Sequence, residues 1–204
     1  MTAGRLLVFL KYPEPGRVKT RIAATVGDER AAALYREWIG HVLHALQPLR
    51  PDIELIGCIA GASSEHFKEW SPLVEGWCEQ VAGDLGTKLD AAFRDAHEAG
   101  VPVIAIGTDC LELDASLIRE AFAVLAKTDA VFGPATDGGY YLVGTARYLD
   151  GFFDAVRWSS HHTLADHLKQ CECRGFAFEL LPPLPDLDTW EDWLAYCRRV
   201  GRKP

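Results

Sequence analysis

The chain has 204 residues, of which 49% are hydrophobic and 25% charged, the composition of a globular protein that buries its own core. Its formal net charge of −8 argues against nucleic acid as a partner, because non-specific binding needs a broad basic surface. It contains no apolar run of about 18 residues and no signal-peptide layout, so we expect no membrane span and a cytoplasmic location.

The predicted elements alternate between strands and helices in chain order. Apolar runs predict strands at residues 5–10, 53–59, 77–80, 101–106, 130–133, 140–143 and 176–181. Helices are predicted after N-caps at Gly27-Asp28, Asp84 and Asp114, and at residues 64–70, 160–171 and 189–198. The short Asp137-Gly-Gly connection predicts an antiparallel pair within an otherwise parallel sheet. The pattern therefore predicts a single three-layer α/β/α domain over residues 1–204, with a mostly parallel mixed sheet.

The loop after the first predicted strand concentrates positive charge. Lys11, Arg17, Lys19 and Arg21 fall within eleven residues. Two prolines and Gly16 stiffen and bend the segment, so it is not the solvated face of a helix. A positive loop at the carboxyl end of a first strand is where an α/β protein holds a phosphate or diphosphate. A solvated basic loop is the alternative.

Asp109 ends a buried strand and faces the same sheet edge as the basic loop if the two strands are parallel. A carboxylate in that position suits Mg²⁺ or Mn²⁺, which prefer oxygen ligands and would bridge to the phosphates. The structural alternative is that Asp109 caps a helix or stabilises a turn, although Asp114 already accounts for the cap of the following helix.

A second acidic cluster precedes the last helix. Thr189 and Asp192 fit a capping box, whereas Asp186 and Asp188 lie outside it and would point the same way in an extended chain. Their alternative role is to complement the helix dipole.

Asp137 precedes two glycines that allow close backbone approach to a ligand. Its carboxylate could act as a base or orient an acceptor hydroxyl, and a hairpin turn is the alternative.

Cysteine and histidine spacing does not predict a zinc site. The Cys171-Glu-Cys173 pair could bind metal or oxidise, but no second pair lies at zinc-finger spacing, and reduced core thiols are expected for most of the six cysteines. His161 and His162 are adjacent at the start of a predicted helix, so we interpret them as exposed polar residues.

Six stretches, taken in order, resemble the glycosyltransferase-like transferase family related to 2-phospho-lactate guanylyltransferase, within the GT-A-type nucleotide-diphospho-sugar transferase fold. They are residues 13–21, 80–86, 106–110, 133–141, 158–159 and 184–189. The His161-His162 pair departs from the family pattern and could mark a different acceptor.

The resemblance implies a role for each matching residue. Nucleotide binding is implied for Lys11, Gly16, Arg17, Lys19, Arg21, Gln80 and Asp84. Asp109 would bind Mg²⁺ or Mn²⁺ with Asp188 as a second ligand, and Asp109 and Asp137 would be catalytic. The acceptor side would be lined by Asp137, Gly138, Tyr140, Trp158 and Ser159.

Three functions follow as hypotheses. The first is metal-dependent transfer of a sugar from a nucleotide-diphospho-sugar donor to a small-molecule acceptor, releasing a nucleoside diphosphate. The second is nucleotidyl transfer from a nucleoside triphosphate to a phosphorylated small molecule, in which the four cations would hold the departing pyrophosphate. The third is a nucleotide-binding protein without catalysis. We favour sugar transfer, and we allow for a homodimer.

Overall fold

Seven strands form one twisted sheet in the order β3-β2-β1-β4-β6-β5-β7. The computed structural model describes residues 2–204. The strands are β1 (Gly4–Lys11), β2 (Ile53–Ala60), β3 (Gly76–Glu79), β4 (Val103–Ile106), β5 (Ala130–Pro134), β6 (Tyr140–Thr145) and β7 (Phe178–Leu180). Strand β6 is antiparallel to both of its neighbours, β4 and β5, and the remaining pairs are parallel. The predicted mixed sheet, with its antiparallel β5–β6 pair, is confirmed.

In the part of the chain that the structure describes, six α-helices cover the two faces of the sheet. They are α1 (Thr20–Val26), α2 (Asp28–Ala45), α3 (Leu85–His97), α4 (Ala115–Leu125), α5 (Thr163–Arg174) and α6 (Trp190–Val200), with 3-10 turns at Gln47–Leu49 and Ser64–Leu73. No helix within residues 2–204 combines the length and the apolar character that a membrane crossing requires.

The core has two layers because neighbouring side chains of β1 point to opposite faces. Leu6, Val8 and Leu10 pack with α1, α2, α4 and α6 on one face, where Trp38 and Trp193 are fully buried. On the other face, Leu7 packs with the helices α3 and α5. This arrangement confirms the predicted three-layer α/β/α class.

Three predicted helix N-caps are confirmed, and a fourth is confirmed in part. Asp84 accepts a hydrogen bond from the Thr87 N–H, Asp114 does the same from the Leu117 N–H, and Thr189 forms the expected capping box. At α2, Gly27 is the N-cap and Asp28 lies inside the first turn, so the predicted Gly27-Asp28 cap holds only in part.

Two helix starts near the site differ from the prediction. The short helix α1 begins at Thr20, within the predicted basic loop, and it has no side-chain cap that would mark its start. Helix α5 begins at Thr163 rather than at residue 160, because the Ser160 N–H and carbonyl are bonded to the Thr163 side chain in a turn before the helix.

The parallel strands bring the functional segments to one edge of the sheet. Strands β1 and β4 are in parallel register from Arg5–Val103 to Val8–Ile106, so their carboxyl ends lie side by side. The segment 184–188 crosses the same edge, because its backbone bonds to Pro134, Thr136 and Asp109.

Gly144 in β6 is predicted to be a tight packing position. A Cβ atom there would lie 2.7 Å from Ile104 and 3.1 Å from the Val103 carbonyl oxygen, both on the neighbouring strand. Gly144→Ala should therefore lower the free energy of unfolding by about 1–3 kcal/mol in a urea titration. The matched control is Gly40→Ala inside α2, where a Cβ would be 3.8 Å from the nearest atom. There, alanine should stabilise the protein by about 0.5–1 kcal/mol. Equal changes in the free energy of unfolding at the two positions would contradict the close packing of Gly144 against β4.

Candidate functional site

The basic loop and the strand-end aspartate meet in a salt bridge. The Lys19 Nζ lies 2.9 Å from the Asp109 Oδ2. The lysine side chain is 9% exposed, whereas the aspartate side chain is 46% exposed. The ion pair therefore has a buried cation and an anion that still faces solvent.

Three further contacts hold the Lys19 ammonium in place. Its Nζ donates a hydrogen bond of 2.9 Å to the Leu187 carbonyl oxygen. It also lies 5.3 Å from the Trp38 ring centroid and 5.9 Å from that of Tyr35, within the range of cation–π attraction. The Lys19 backbone is left-handed, at φ 46° and ψ 46°, which is uncommon for a residue with a side chain. Such strain is maintained only where the surrounding contacts are strong.

A polar network fixes the strand ends beneath this pair. The buried Thr108 hydroxyl donates to the Tyr35 hydroxyl oxygen at 3.0 Å, and that oxygen also accepts from the Lys11 N–H at 3.2 Å. Burial and the nearby Asp109 carboxylate raise the pKa of Tyr35 to about 12. The neutral tyrosine therefore links the end of β4 to the end of β1 at all physiological pH values.

On one side of Asp109 lies a pocket that we call the basic pocket. Its volume is about 270 Å³, and its polar lining comprises Lys11, Arg17, Lys19, Thr20, Arg21, Tyr35, Asp109 and Asp188. All four cations of the predicted loop line this one space. Arg21 is paired with Asp188, however, as Lys19 is with Asp109, so the loop is less positive than its sequence indicates.

On the other side of Asp109 lies a second space, the acidic pocket, with a volume of about 220 Å³. Three carboxylates line it: those of Asp109, Asp137 and Asp186. Its wall also contains two aromatic residues, Tyr140 and Tyr141, and three hydroxyl residues, Ser159, Ser160 and Thr163. Asp109 belongs to both pockets and separates them.

Asp186 has the most perturbed environment of these acids. Burial raises its pKa, and the neighbouring Asp137, Asp188 and Asp109 carboxylates raise it further. A carboxylate in such a place accepts a proton more readily than an exposed one. It is also stabilised by any cation that enters between the acids.

The turn at Asp137 is hydrogen-bonded to the first turn of α5. The Gly139 N–H donates to Asp137 Oδ1 at 2.8 Å, and the Leu164 N–H donates to the Gly138 carbonyl at 3.1 Å. Gly138 has φ +93°, and a Cβ there would lie 2.3 Å from the His161 carbonyl oxygen. Only glycine fits this turn, which positions Asp137 at the pocket.

The structure also shows which predicted residues lie away from these pockets. Gln80 donates its amide to the Cys58 carbonyl at 2.9 Å on the β2 side, and Asp84 is the N-cap of α3. Trp158 lines a different cavity from the acidic pocket, and its indole contacts Gly86 there. Exposed Gly16, at φ +74°, bends the basic loop. Nucleotide binding by Gln80 and Asp84 stays a prediction.

Asp186 and Asp188 do not share one direction, contrary to the extended-chain expectation. Asp186 lines the acidic pocket, whereas Asp188 lines the basic pocket and pairs with Arg21. The Leu187 N–H donates to the Asp109 carbonyl between them, so the two acids lie on either side of Asp109.

Sequence reasoning left several lining residues out. Asp186 was identified as a candidate acid but not as a site residue, and its position beside Asp188 was the available signal. Ser160 and Thr163 had no signal, since hydroxyl residues before a helix usually serve as caps.

Tyr140 contributes its ring, and not its hydroxyl, to the acidic pocket. Its hydroxyl points towards His167, 3.5 Å from Nδ1, inside an aromatic cluster with Phe132, Phe152 and Trp158. Burial raises the pKa of Tyr140 well above its usual value. His167 is fully buried, and within residues 2–204 its Nε2 has no hydrogen-bond partner.

The donor set suits a divalent cation in its chemistry. Four carboxylates, those of Asp109, Asp137, Asp186 and Asp188, border the two pockets, and Mg²⁺ and Mn²⁺ prefer such oxygen ligands. One of these carboxylates, Asp109, already forms an ion pair with the Lys19 ammonium. Within residues 2–204, no three acidic, histidine or cysteine side chains are close enough to form a complete metal cage. A bound ion would therefore need ligands from a substrate as well.

Comparisons with solved structures agree on the fold. A protein of Desulfovibrio desulfuricans G20, described provisionally as a nucleotide-diphospho-sugar transferase, is 32% identical over 98% of this chain and 88% of its own, with a TM-score of 0.89. Two more distant structures share the fold. Glucosyl-3-phosphoglycerate synthase of Mycobacterium tuberculosis, bound to Mn²⁺, UDP and glucosyl-3-phosphoglycerate, is 12% identical over 100% of this chain and 81% of its own, with a TM-score of 0.60. The 4-diphosphocytidyl-2C-methyl-D-erythritol synthase of Anaerococcus prevotii DSM 20548 is 9% identical over 98% and 99%, with a TM-score of 0.62. None of the curated proteins matches the chain.

The fold is thus that of the GT-A-type nucleotide-diphospho-sugar transferases and the related nucleotidyltransferases, as the sequence resemblance indicated. Residues 44–160, more than half of the chain, match a family described as "Uncharacterized protein conserved in bacteria (DUF2064)". The chain belongs to this family. The neighbours support the prediction of an enzyme of the transferase class.

The buried His167 predicts a pH dependence of stability. Burial lowers the pKa of His167 to about 4, whereas an unfolded histidine titrates near 6.5. Between these values the unfolded state binds more protons, so the free energy of unfolding falls as the pH falls. The loss attributable to this group is about 2 kcal/mol from pH 7 to pH 5. His167→Phe should reduce the pH dependence by that amount in urea titrations at the two pH values. Identical pH dependences of wild type and variant would contradict the buried neutral imidazole.

Proposed function

We propose that the protein transfers a sugar from a nucleotide-diphospho-sugar donor to a small acceptor, with the help of Mg²⁺ or Mn²⁺. One observation carries this proposal: the Lys19–Asp109 pair joins a pocket lined by four cations to a pocket lined by three carboxylates. A donor of this class needs both features, since its diphosphate requires positive charge and its departing group requires charge neutralisation.

The basic pocket is assigned to the diphosphate. Arg17 is exposed, and within residues 2–204 its guanidinium makes no hydrogen bond, so it can bind phosphate directly. Lys11 is also exposed, and in the described part of the chain its Nζ donates only to the Arg17 carbonyl, a contact that a phosphate oxygen can replace. Lys19 and Arg21 would exchange carboxylate partners for phosphate oxygens.

Asp109 and Asp188 are the proposed ligands of the divalent cation. When bound there, the ion would neutralise negative charge on the departing nucleoside diphosphate. Both carboxylates are paired with loop cations in the protein alone, so donor binding would release them together. The loop cations and the two acids then need no large movement, only an exchange of ionic partners.

The acidic pocket is assigned to the acceptor. Its open wall is formed by the Tyr140 ring, by Ser159 and Ser160, and by the carboxylates of Asp137 and Asp186. The attacking hydroxyl must lose a proton, and a positioned carboxylate can take it. Asp137 is oriented for this by the Gly139 N–H, while Asp186 has the raised pKa that favours proton uptake.

Nucleotidyl transfer is the second candidate, and the density of cations favours it. Four cations around one pocket of about 270 Å³ could hold a departing pyrophosphate as well as a bound diphosphate. Both functions use the same residues, so the released product must decide between them.

The experiment incubates the protein with nucleotide sugars or with nucleoside triphosphates, a panel of hydroxyl and phosphorylated acceptors, and Mn²⁺ or Mg²⁺. Release of a nucleoside diphosphate, linked to sugar transfer, is the expected result. Pyrophosphate release from a triphosphate would select the second candidate instead. A protein that binds nucleotides without releasing either product would be a binding protein, contrary to the proposal.

With the donor that works, Asp109→Asn should lower kcat/KM by about 100-fold or more, because it removes the carboxylate shared by both pockets. Asp114→Asn is the matched control. Asp114 is a helix N-cap only five residues away, and asparagine caps a helix as well as aspartate does. Equal activities of the two variants would show that the charge at Asp109 has no part in the reaction.

A further inference from the structure

A pair of cysteines lies on the β2–β3 side of the sheet, away from the two pockets of the proposed site. Cys58 and Cys78 are direct register partners on the parallel strands β2 and β3. Adjacent strands lie about 4.8 Å apart, and side chains in register point to the same face. The two sulfur atoms are 2.7 Å apart, and both cysteines are free thiols. The backbone spacing is within the Cα range of a disulfide, so the bond requires only a small approach of the sulfurs.

The two thiols differ in access and in acidity. Cys58 is fully buried, whereas Cys78 is half-buried at the edge of the sheet. Both line a cavity of about 190 Å³, whose charged lining residues are two cations, Arg5 and Lys88, and two acids, Glu79 and Asp95. The hydrogen bond between the two thiols lowers the pKa of Cys78, although burial and Asp95 oppose it, and the same contact raises the pKa of Cys58. Cys78 is therefore the more acidic and the more accessible of the two thiols.

This division of roles is that of an attacking and a resolving cysteine. A thiolate that is accessible and stabilised by a neighbouring donor reacts with peroxides, and a nearby second thiol then captures the product. The other buried cysteines do not have these properties, since burial raises the pKa of Cys110, Cys171 and Cys197. Cys173 is exposed on α5, and within residues 2–204 no other cysteine pairs with it.

We propose that Cys58 and Cys78 form a reversible, peroxide-responsive dithiol–disulfide pair. The Cys78 thiolate attacks one peroxide oxygen, the O–O bond breaks, and with one proton the products are a Cys78 sulfenic acid and one water. The Cys58 sulfur then attacks the Cys78 sulfur, the S–O bond breaks, and the Cys58 proton leaves with the hydroxide as a second water. Two electrons pass from the two sulfurs to the hydrogen peroxide. A dithiol reductant reverses the change.

The cysteine pair lies next to side-chain hydrogen bonds that join three strands. The Gln80 side chain, two residues after Cys78, donates to the Cys58 carbonyl at 2.9 Å and to the Leu10 carbonyl at 3.4 Å. Those bonds tie the carboxyl ends of β1, β2 and β3 together at the edge that carries the basic loop. The redox pair does not depend on the proposed transfer activity, and it can be tested without any substrate.

The experiment treats the reduced protein with equimolar hydrogen peroxide, then alkylates it in denaturant and analyses its peptides by mass spectrometry. The expected result is one disulfide-linked Cys58–Cys78 species, which dithiothreitol abolishes, with the other four cysteines alkylated. Before oxidation, Cys78 should be alkylated at least about tenfold faster than Cys110 in the native protein. A linkage through other cysteines, or unlinked and fully alkylated Cys58 and Cys78, would overturn the proposal.

Two variants separate the proposed roles. In Cys58→Ser, Cys78 should accumulate as a sulfenic acid that dimedone traps, because the resolving thiol is gone. In Cys173→Ser, the matched control, the disulfide should form as in the wild type. Dimedone labelling of Cys173 in place of Cys78 in the first variant would contradict the assignment of Cys78 as the reactive thiol. The wild-type peptide analysis stands even if the Cys58 variant does not fold.

Discussion

The structure of the candidate site depends on the ion pair between Lys19 and Asp109. A lysine that is 9% exposed cannot remain charged without close partners, because desolvation of an ammonium is costly. Its partners come from three separate segments of the chain: the end of β4, the Leu187 carbonyl and the rings of α2. The need to satisfy one charge thus fixes the basic loop, the strand end and the segment 184–188 against each other.

That constraint also explains why the site is balanced in charge. The two pockets are lined by four cations and four carboxylates. Two ion pairs, Lys19–Asp109 and Arg21–Asp188, are already formed in the protein alone. In the proposed function, a metal-bound diphosphate brings its own opposite charges and replaces these internal partners. The protein therefore keeps its charged groups in place before the substrate arrives, and little reorganisation is needed.

Sequence reasoning located the edge of the sheet but not the finer geometry. Alternating apolar runs and cap residues were enough to predict the strand ends of β1 and β4, because those signals are local. Helix α1 was missed, since it begins at a left-handed Lys19 that no local rule predicts. The opposite placement of Asp186 and Asp188 depends on the Leu187 N–H bonding to Asp109, a contact across 78 positions of the chain. The Cys58–Cys78 pair likewise depends on strand register, which spacing alone cannot supply.

In the proposed function, the basic loop and Asp109 bind one ligand, a metal-bound nucleoside diphosphate, in a single crevice. Calorimetric titration of the four common nucleoside diphosphates, with and without Mn²⁺, tests it most directly. At least one diphosphate should bind about tenfold or more tightly with Mn²⁺, a gain of about 1.4 kcal/mol, and Asp109→Asn should abolish this gain. Equal affinities with and without the metal, or a gain that survives in Asp109→Asn, would contradict it.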